Sequence, residues 1–352
     1  MRGGLASSPV QAAREPERRR SALSAAGLLL PALAALCSGA LAQPLPIDTI
    51  LGSAVAAVLL SLPRWFLALW IPWGLIRGWR DRAFWPLLVV LGGVLAVGLP
   101  GVGPEEDEGL LIVAANVQAY SDVLEPLEEA LAELDADLIV TIEMREPGVP
   151  GKVEGMVRSG DNYSADLPRI SHGTAVFCRR GRLCQTLVTG EVGAPGCTMP
   201  MSITRLEGRM CVVGIHAPPP APKCALGLIP YVAEITGHLA DGRVQGSWGP
   251  CQDQDPALVI GDLNFVPGSR VHRSLLDADL VDALRWQGLW ANSWPAGGGW
   301  PNLPFFRLDQ FLVGEPLTVS TPRLFKLPDA DHRAVRARVE VQGAREPPAA
   351  EL

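Results

Sequence analysis

The stretch Ala257-Leu-Val-Ile-Gly-Asp-Leu-Asn264 (ALVIGDLN) is a short apolar run that ends in an acid and an amide. A continuous apolar run of this length is typical of a β-strand that is buried on both faces. Asp262 and Asn264 are two positions apart, so in an extended chain their side chains lie on the same side. The stretch therefore predicts a buried strand that presents a carboxylate and a carboxamide at its C-terminal end.

The same arrangement recurs in four other parts of the chain. Residues 110–115 run into Asn116, 138–142 into Glu143 and 210–215 into His216, and Arg307-Leu308 leads to Asp309, which the apolar residues 311–313 follow. We predict five buried strands that all deliver polar groups at their C-terminal ends, so that these groups meet at one edge. Carboxylates, amides and imidazoles gathered in this way are what metal-assisted hydrolysis of a phosphate ester requires.

Seven segments, in their order and spacing, resemble the endonuclease/exonuclease/phosphatase superfamily. They are ANV (115–117), DADLIVTIE (135–143), GTAVFCRR (173–180), VVGIHAPPP (212–220), VIGDLNFVPGS (259–269), RLDQFLV (307–313) and DADHRAVRARV (329–339). The resemblance extends over residues 109–341 and implies the deoxyribonuclease-like fold, a two-sheet α/β sandwich, with phosphoric ester hydrolase activity. Two positions depart from the family pattern: Gln118 stands where many members carry an acid, and Ala330 replaces the usual serine before Asp331-His332.

The resemblance implies a site for a divalent metal ion, Mg²⁺ or Mn²⁺. Glu143 matches the family's metal-binding glutamate, Asn116 the asparagine beside the metal and the phosphate, and Asp331 a residue on the metal side. Hard cations of this kind prefer oxygen ligands. Outside such a context, a glutamate at a strand end is usually a solvated surface group, and an asparagine there usually forms a turn.

The resemblance also implies the catalytic groups. Asp262 would orient or deprotonate the attacking water, and Asn264 would hold a phosphate oxygen. His332 matches the catalytic histidine, and Asp309 the aspartate that hydrogen-bonds it and fixes its tautomer. His216 matches the second histidine of the deoxyribonuclease-like branch, placed to donate to a phosphate or leaving oxygen.

For other polar and aromatic residues the sequence indicates a function less strongly. Asn116, Asn264 and Arg270 are the candidate substrate-binding residues, and Asp282 is predicted to be structural. The aromatic residues of the Gly- and Pro-rich segment could form a platform for a substrate or could cover the core; they are Trp294, Trp300, Phe305 and Phe306.

The first hundred residues have the pattern of a membrane region. We divide the chain into a basic N-terminal segment (1–21), a membrane region (22–103) with about three transmembrane helices (22–42, 49–76 and 83–102), a tether (104–109), the catalytic domain (109–341) and a disordered tail (342–352). Each apolar run is long enough to span the hydrocarbon layer. Arginines precede the first run and lie between the second and third, so the positive-inside rule predicts a multi-pass protein in the lipid bilayer with an extracytoplasmic catalytic domain. Alternatively, residues 18–42 are a cleaved secretory signal, which leaves two spans and the same final orientation.

Six of the seven cysteines lie in the catalytic region, and an even number suits an oxidising compartment. We predict that 174–177 and 183–188 form an antiparallel hairpin, across which Cys178 and Cys184 could face each other. Cys224 and Cys251 come from adjoining loops and are a second candidate pair, whereas Cys211 lies within a predicted strand and reads as a small core residue.

The charge balance bears on the substrate. Residues 105–345 contain 21 Lys and Arg against 31 Asp and Glu, which leaves about ten net negative charges. Proteins that bind nucleic acid tightly neutralise its phosphates with Lys and Arg, so this acidity argues against a nuclease. The substrate remains open between nucleic acid, a phospholipid or sphingolipid diester and a soluble phosphodiester or phosphomonoester. A catalytically inactive membrane receptor or scaffold with the same fold is the alternative from outside the enzymes, and the sequence identifies no protein partner.

Overall fold

A computed structural model of the protein describes residues 108–117, 125–144, 152–162, 173–194, 197–219, 224–285, 287, 291–297 and 302–342. The predicted segments 1–21 and 22–103 lie outside these residues, as do Gln118, Trp300 and all but the first residue of the predicted tail. Within the described ranges, no helix combines the length and the apolarity that crossing a bilayer requires.

The described elements follow one another as strands with three intervening helices. In chain order they are β1 (Leu110–Asn116), α1 (Glu125–Ala132), β2 (Leu138–Met144), β3 (Met156–Asn162), β4 (Gly173–Arg179), β5 (Cys184–Ala194), β6 (Cys197–Leu206), β7 (Met210–His216), α2 (Ala225–Gly237), β8 (Leu239–Ala240), β9 (Arg243–Val244), β10 (Ala257–Asp262), α3 (Arg270–Leu276), β11 (Leu280–Asp282), β12 (Trp294–Ala296), β13 (Asn302–Phe306), β14 (Asp309–Gly314), β15 (Leu317–Lys326) and β16 (Arg333–Val341). The five predicted apolar runs are β1, β2, β7, β10 and β14.

Two six-stranded sheets contain most of these strands. Sheet A has the order β15-β16-β1-β2-β4-β3, and sheet B the order β11-β14-β10-β7-β6-β5. Both are mixed: β1 and β2 are parallel in sheet A, β7 and β10 are parallel in sheet B, and the remaining pairs are antiparallel. The result confirms the predicted two-sheet α/β sandwich.

Three layers of apolar side chains hold the sandwich together. The central layer lies between the sheets and includes Ile112, Val140 and Ile260. On the outside of sheet A, Leu127 and Leu131 of α1 pack against it, while α2 and α3 cover sheet B. Because both faces of each sheet are covered, the central strands are apolar throughout, which explains the uninterrupted runs in the sequence.

The strand directions gather the polar groups at one end of the sandwich, which we call the catalytic rim. The C-terminal ends of β1, β2, β7 and β10 reach it with Asn116, Glu143, His216 and Asp262. Asp309 was predicted to follow a strand, and this was wrong: it begins β14. Since β14 is antiparallel to β10, with Asp309 opposite Asp262, its N-terminal end lies at the same rim.

The predicted hairpin between 174–177 and 183–188 is also wrong. β4 pairs with β2 and β3 in sheet A, so both of its edges are occupied, and β5 pairs with β6 in sheet B. Cys178 and Cys184 do form a disulfide, but it joins strands of the two sheets.

The second disulfide differs from the predicted pair of Cys224 and Cys251. Cys211 of β7 is bonded to Cys251, although its position within a strand suggested a reduced core residue. Cys224 is disulfide-bonded as well. A buried strand cysteine can pair with a loop that packs on the outside of its sheet, and spacing in the sequence does not reveal this.

Candidate active site

A glycine allows Asp262 to reach the rim from the centre of sheet B. Gly261 has φ of 128°, and a Cβ at this position would lie 2.1 Å from the carbonyl oxygen of Ile215 and 2.7 Å from Cδ1 of Ile142. No other residue fits this approach between the sheets without displacing backbone. Asp262 follows directly and is almost completely buried.

Glu143 is directed to the rim by an irregularity in β2. The pairing with β4 shifts register between Ile142 and Met144, and Glu143 between them adopts a positive φ of 59°. A bulge of this kind turns a side chain away from the direction that strand alternation would give it. Its carboxylate is 23% exposed, whereas its rim neighbours are buried.

Two contacts join sheet A to sheet B at the rim. Asn116 Nδ2 donates to Asp262 Oδ2 over 3.0 Å, and His216 Nε2 lies 3.2 Å from Glu143 Oε1. Asp262 Oδ1 accepts from the backbone N–H of Asn264 over 2.9 Å. The predicted residues from β1, β2, β7 and β10 therefore form one cluster.

His332 and Asp309 form the predicted dyad. His332 Nδ1 is 2.7 Å from Asp309 Oδ2, and both side chains are buried. The other ring nitrogen, Nε2, faces Asp262 Oδ2 at 3.7 Å, which is too long for a hydrogen bond. The imidazole thus stands between two carboxylates, one bonded to it and one beyond bonding distance.

These carboxylates control the charge of the histidine. Burial lowers the pKa of His332, but the negative charges of Asp309 and Asp262 outweigh burial and raise the pKa to about 10. Burial raises the pKa of Asp262 to about 6; the charge of His332 opposes that rise and the charge of Asp309 adds to it. At neutral pH the site therefore holds an imidazolium next to an ionised Asp262.

The second histidine is coupled to Glu143. Burial acts to raise the pKa of Glu143, yet its hydrogen bond with His216 and the charges of His216 and His332 lower it to about 2. Burial lowers the pKa of His216, but the hydrogen bond and charge of Glu143 outweigh burial and raise it. Glu143 is accordingly an anion throughout the neutral range.

The rim has a donor set that could hold a metal ion. One ligand atom each from Glu143, His216 and Asp262 lies within 4.8 Å of the others. Asp331 is outside this group; its Oδ2 accepts from Trp294 Nε1 over 3.2 Å, while its buried Oδ1 has no hydrogen-bond partner among the described residues. An orphaned carboxylate oxygen beside an anionic glutamate fits the hard, oxygen-preferring cation that the sequence implied.

Asn264 and Arg270 differ in how close they come to this cluster. Asn264 has a positive φ of 52°, and its Nδ2 donates to the carbonyl of Ala217 over 2.8 Å, which fixes the amide behind His216. Arg270 begins α3 and is exposed. The structure thus brings Asn264 to the rim and leaves Arg270 on the surface of the following helix.

Sequence reasoning missed two residues that support the site. Ser293 is completely buried, and its hydroxyl accepts from the backbone N–H groups of Leu308 and Asp309, each over 3.1 Å. Arg307 is buried and pairs with Asp282, a contact of the kind expected if Asp282 is structural. Neither Ser293 nor Arg307 stands at the end of an apolar run, which was the signal used to find the others.

Comparison with known proteins bears on the family and the fold of the chain. A sequence model described as the endonuclease/exonuclease/phosphatase family matches residues 113–332. A search of curated protein sequences finds no match.

Several solved structures are similar in fold. A 3′ phosphatase from Neisseria bound to a product DNA hairpin shares 14% identity with a TM-score of 0.49, covering 66% of this chain and 99% of that one. A mannosyl-6-phosphatase from Bacteroides thetaiotaomicron shares 12% identity with a TM-score of 0.47, covering 66% and 99%. An endonuclease/exonuclease/phosphatase protein from Beutenbergia cavernae shares 17% with a TM-score of 0.47, covering 67% and 72%.

Proposed function

The chain belongs to the endonuclease/exonuclease/phosphatase family, and from this premise we propose that it is a divalent-metal-dependent phosphoesterase that hydrolyses a phosphodiester or phosphomonoester. One observation carries the proposal: Asp262 lies within 4 Å of both an amide donor from the other sheet and the imidazole of the Asp309–His332 dyad. A buried base, an oriented imidazolium and a nearby anionic glutamate have little structural purpose together, but each has a role in phosphoryl transfer to water.

Asp262 is the group that prepares the attacking water. Its two carboxylate oxygens are oriented by Asn116 and by the backbone N–H of Asn264. With a pKa of about 6, the carboxylate is ionised at neutral pH and still basic enough to take a proton. The orientation matters because a water held in line with the phosphorus removes most of the entropic barrier to attack.

His332 is the proton donor of the site. Asp309 holds its Nδ1, so Nε2 points into the site with a proton that it can donate to a phosphate oxygen. Glu143 raises the pKa of His216, which makes His216 the second candidate donor, for the leaving oxygen. The second N–H of the Asn264 amide is directed by the bond to Ala217 and can hold a further phosphate oxygen.

Glu143, the anionic member of the Glu143–His216–Asp262 group, would hold the divalent cation. Its partners would be the Oδ1 of Asp331, which has no hydrogen-bond partner among the described residues, and the side-chain oxygen of Asn116, as the family resemblance implies. A bound Mg²⁺ or Mn²⁺ neutralises phosphate charge and polarises the phosphorus–oxygen bonds. The substrate is proposed from the charge of the domain. The net negative charge of residues 105–345 disfavours nucleic acid relative to smaller or membrane-borne phosphate esters.

We also propose that the domain is anchored in the bilayer by the apolar runs 22–42, 49–76 and 83–102, with the rim on the extracytoplasmic side. The disulfides Cys178–Cys184 and Cys211–Cys251 support this orientation, because such bonds persist in oxidising compartments. An impermeant thiol reagent on intact cells should label a cysteine introduced at Glu106 but not one introduced at Arg80. The reverse pattern would place the domain in the cytoplasm.

The function is tested with the full-length protein in detergent, in Mg²⁺, on single- and double-stranded DNA, RNA, sphingomyelin, inositol phosphates and bis(p-nitrophenyl) phosphate. Hydrolysis of at least one compound is expected, and the His332→Ala variant purified in parallel should lack it. If wild type and the His332→Ala variant behave alike on every substrate, the proposal is refuted.

A further inference from the structure

Ser293 lies between the two chain segments that carry the catalytic dyad. It immediately precedes β12, in the segment that runs beside Phe306 and Asp309 on one side and Asp331 to Arg333 on the other. Its side chain is completely buried. Among the described residues, its hydrogen bonds go to backbone groups and not to the side chains of Asp309 or His332, so its effect on them acts through the backbone.

On the aspartate side, Ser293 makes three hydrogen bonds. Its hydroxyl oxygen accepts from the backbone N–H of Leu308 and of Asp309, each over 3.1 Å. Its own N–H donates to the carbonyl of Phe306 over 2.8 Å. These bonds fix the start of β14, where the Asp309 side chain leaves the backbone.

On the histidine side, the carbonyl of Ser293 accepts from the backbone N–H of Arg333 over 2.9 Å. His332 immediately precedes Arg333, so this bond fixes the start of β16 next to the catalytic imidazole. Asp309 and His332 are 23 residues apart in the sequence. Ser293 is thus bonded to the backbone beside each member of the dyad.

We propose that Ser293 is a positioning residue that sets the separation and orientation of Asp309 and His332. The proposal rests on the proposed function, in which this dyad acts on the phosphate ester. Without the hydroxyl, two backbone N–H groups lose their acceptor, and the start of β14 relaxes to find water or another oxygen. Because the dyad bond is short and buried, a shift of a few tenths of an ångström weakens it.

The competing explanation is that Ser293 is an ordinary buried serine. Ser202 provides the matched case: it is also completely buried, and its hydroxyl donates to the carbonyl of Gly214 over 3.4 Å, away from the dyad. The two serines differ in what their hydroxyls hold. Removing the hydroxyl of Ser202 should therefore affect stability and leave turnover unchanged.

The test uses the full-length protein with Mg²⁺ and bis(p-nitrophenyl) phosphate, or the best substrate of the panel. Ser293→Ala should lower kcat by about 10- to 100-fold with KM changed less than about twofold, since misplacement of a catalytic group by up to 1 Å has effects of this size. Ser293→Thr, which keeps the oxygen, should recover most of the loss, and Ser202→Ala should match wild type in kcat. In an Asp309→Asn background, Ser293→Ala should change kcat less than about twofold, because the two residues act as one unit.

A second measurement needs no turnover and so separates this proposal from the proposed function. The Nδ1 proton of His332, bonded to Asp309, should give a downfield proton NMR signal that is missing in His332→Ala. The signal should persist in Ser293→Thr and in Ser202→Ala and should shift upfield or vanish in Ser293→Ala and in the near-isosteric Ser293→Cys. An unchanged signal in both the Ala and the Cys variants would overturn the proposal, as would multiplicative losses in the Asp309→Asn background. If wild type hydrolyses no substrate but the signal responds as described, the proposed function fails and the positioning role stands.

Discussion

Each end of the sandwich has a buried aspartate, and the two aspartates differ in the groups that bond to them. At the end opposite the catalytic rim, Asp137 accepts a hydrogen bond from Leu111 N–H over 2.8 Å, and its carboxylate lies 3.1 Å from Arg179 Nε and 2.9 Å from Arg182 Nη2. At the rim, Asp262 accepts from an amide and a backbone N–H, and the cation that faces it, His332, stands off at 3.7 Å.

This difference separates a structural charge from a functional one. The Asp137 carboxylate accepts a hydrogen bond from the guanidinium of Arg182 and forms an ion pair with that of Arg179, so the local structure satisfies its charge. The Asp262 carboxylate has no hydrogen-bonded cation, because His332 lies 3.7 Å away, and burial raises its pKa to about 6. A protein keeps a buried charge that is only partly compensated where the chemistry uses it, so mutations at the rim should reduce activity and mutations at the opposite end should reduce stability.

The largest effect should come from the dyad. Asp309→Asn should lower kcat by on the order of 10²–10⁴-fold, because the asparagine cannot stabilise the imidazolium or fix its tautomer. His332→Ala should lose a similar factor, and the double variant little more than either alone. Steady-state kinetics of the four proteins decide this; independent, multiplicative losses would show that Asp309 does not serve His332.

Glu143→Gln should come next, with a loss on the order of 10²–10³-fold in hydrolysis. The substitution keeps the shape of the side chain and removes the charge that binds the cation. Thermal unfolding should show a folded protein, because Glu143 is partly exposed and its removal leaves no cavity. Retained activity would show that the metal ion does not bind at Glu143, in the bulge of β2.

Asp262→Asn should inactivate the protein and change how its stability depends on pH. The folded state holds the Asp262 proton more tightly than the unfolded chain, with a pKa raised from 3.8 to about 6, so wild type loses stability as pH rises through this window. The asparagine keeps one oxygen for two donors, the amide of Asn116 and the backbone N–H of Asn264, which lowers the stability of the variant by an amount that does not depend on pH. Between pH 4 and pH 8 the free energy of unfolding of the variant should rise relative to wild type by up to about 3 kcal/mol, from about two pKa units at about 1.4 kcal/mol each. Urea unfolding at pH 4 and pH 8 measures this; a difference that does not grow with pH would contradict it.

The smallest effect on turnover should come from the opposite end. Asp137→Ala should lower the free energy of unfolding by about 1–3 kcal/mol, because Leu111 N–H and Arg182 lose a buried acceptor and Arg179 loses an ion-pair partner. The kcat of the folded variant should equal that of wild type. A large loss of kcat would contradict the claim that Asp137 has a structural role and that Asp262 has a functional one.

The rim was predictable because its signal is local in sequence. Asn116, Glu143, His216 and Asp262 each follow an apolar run, and strands buried on both faces leave only their ends for polar groups. The direction of β14 was not predictable in this way, since Asp309 precedes its apolar run and only pairing with β10 brings it to the rim.

The remaining features depend on contacts distant in sequence. Ser293 lies in a Gly-, Trp- and Pro-rich segment with no periodicity, and its hydrogen-bond partners lie 13 to 40 residues further along the chain. The sequence around Cys211 indicates a core residue, and only the folded structure shows that Cys251 lies close enough to form a disulfide with it. The short turn after β4 suggested a hairpin, but β2 and β3 already occupy both edges of β4.

The central claim, that the rim hydrolyses a phosphate ester with a divalent cation, is tested most directly by removing the metal. The full-length protein is assayed on its best substrate after treatment with EDTA and again after Mg²⁺ is restored, with unfolding monitored throughout. We predict that activity is lost in EDTA while the fold persists and that it returns with Mg²⁺, but not in the Glu143→Gln variant. Full activity in EDTA would contradict the account.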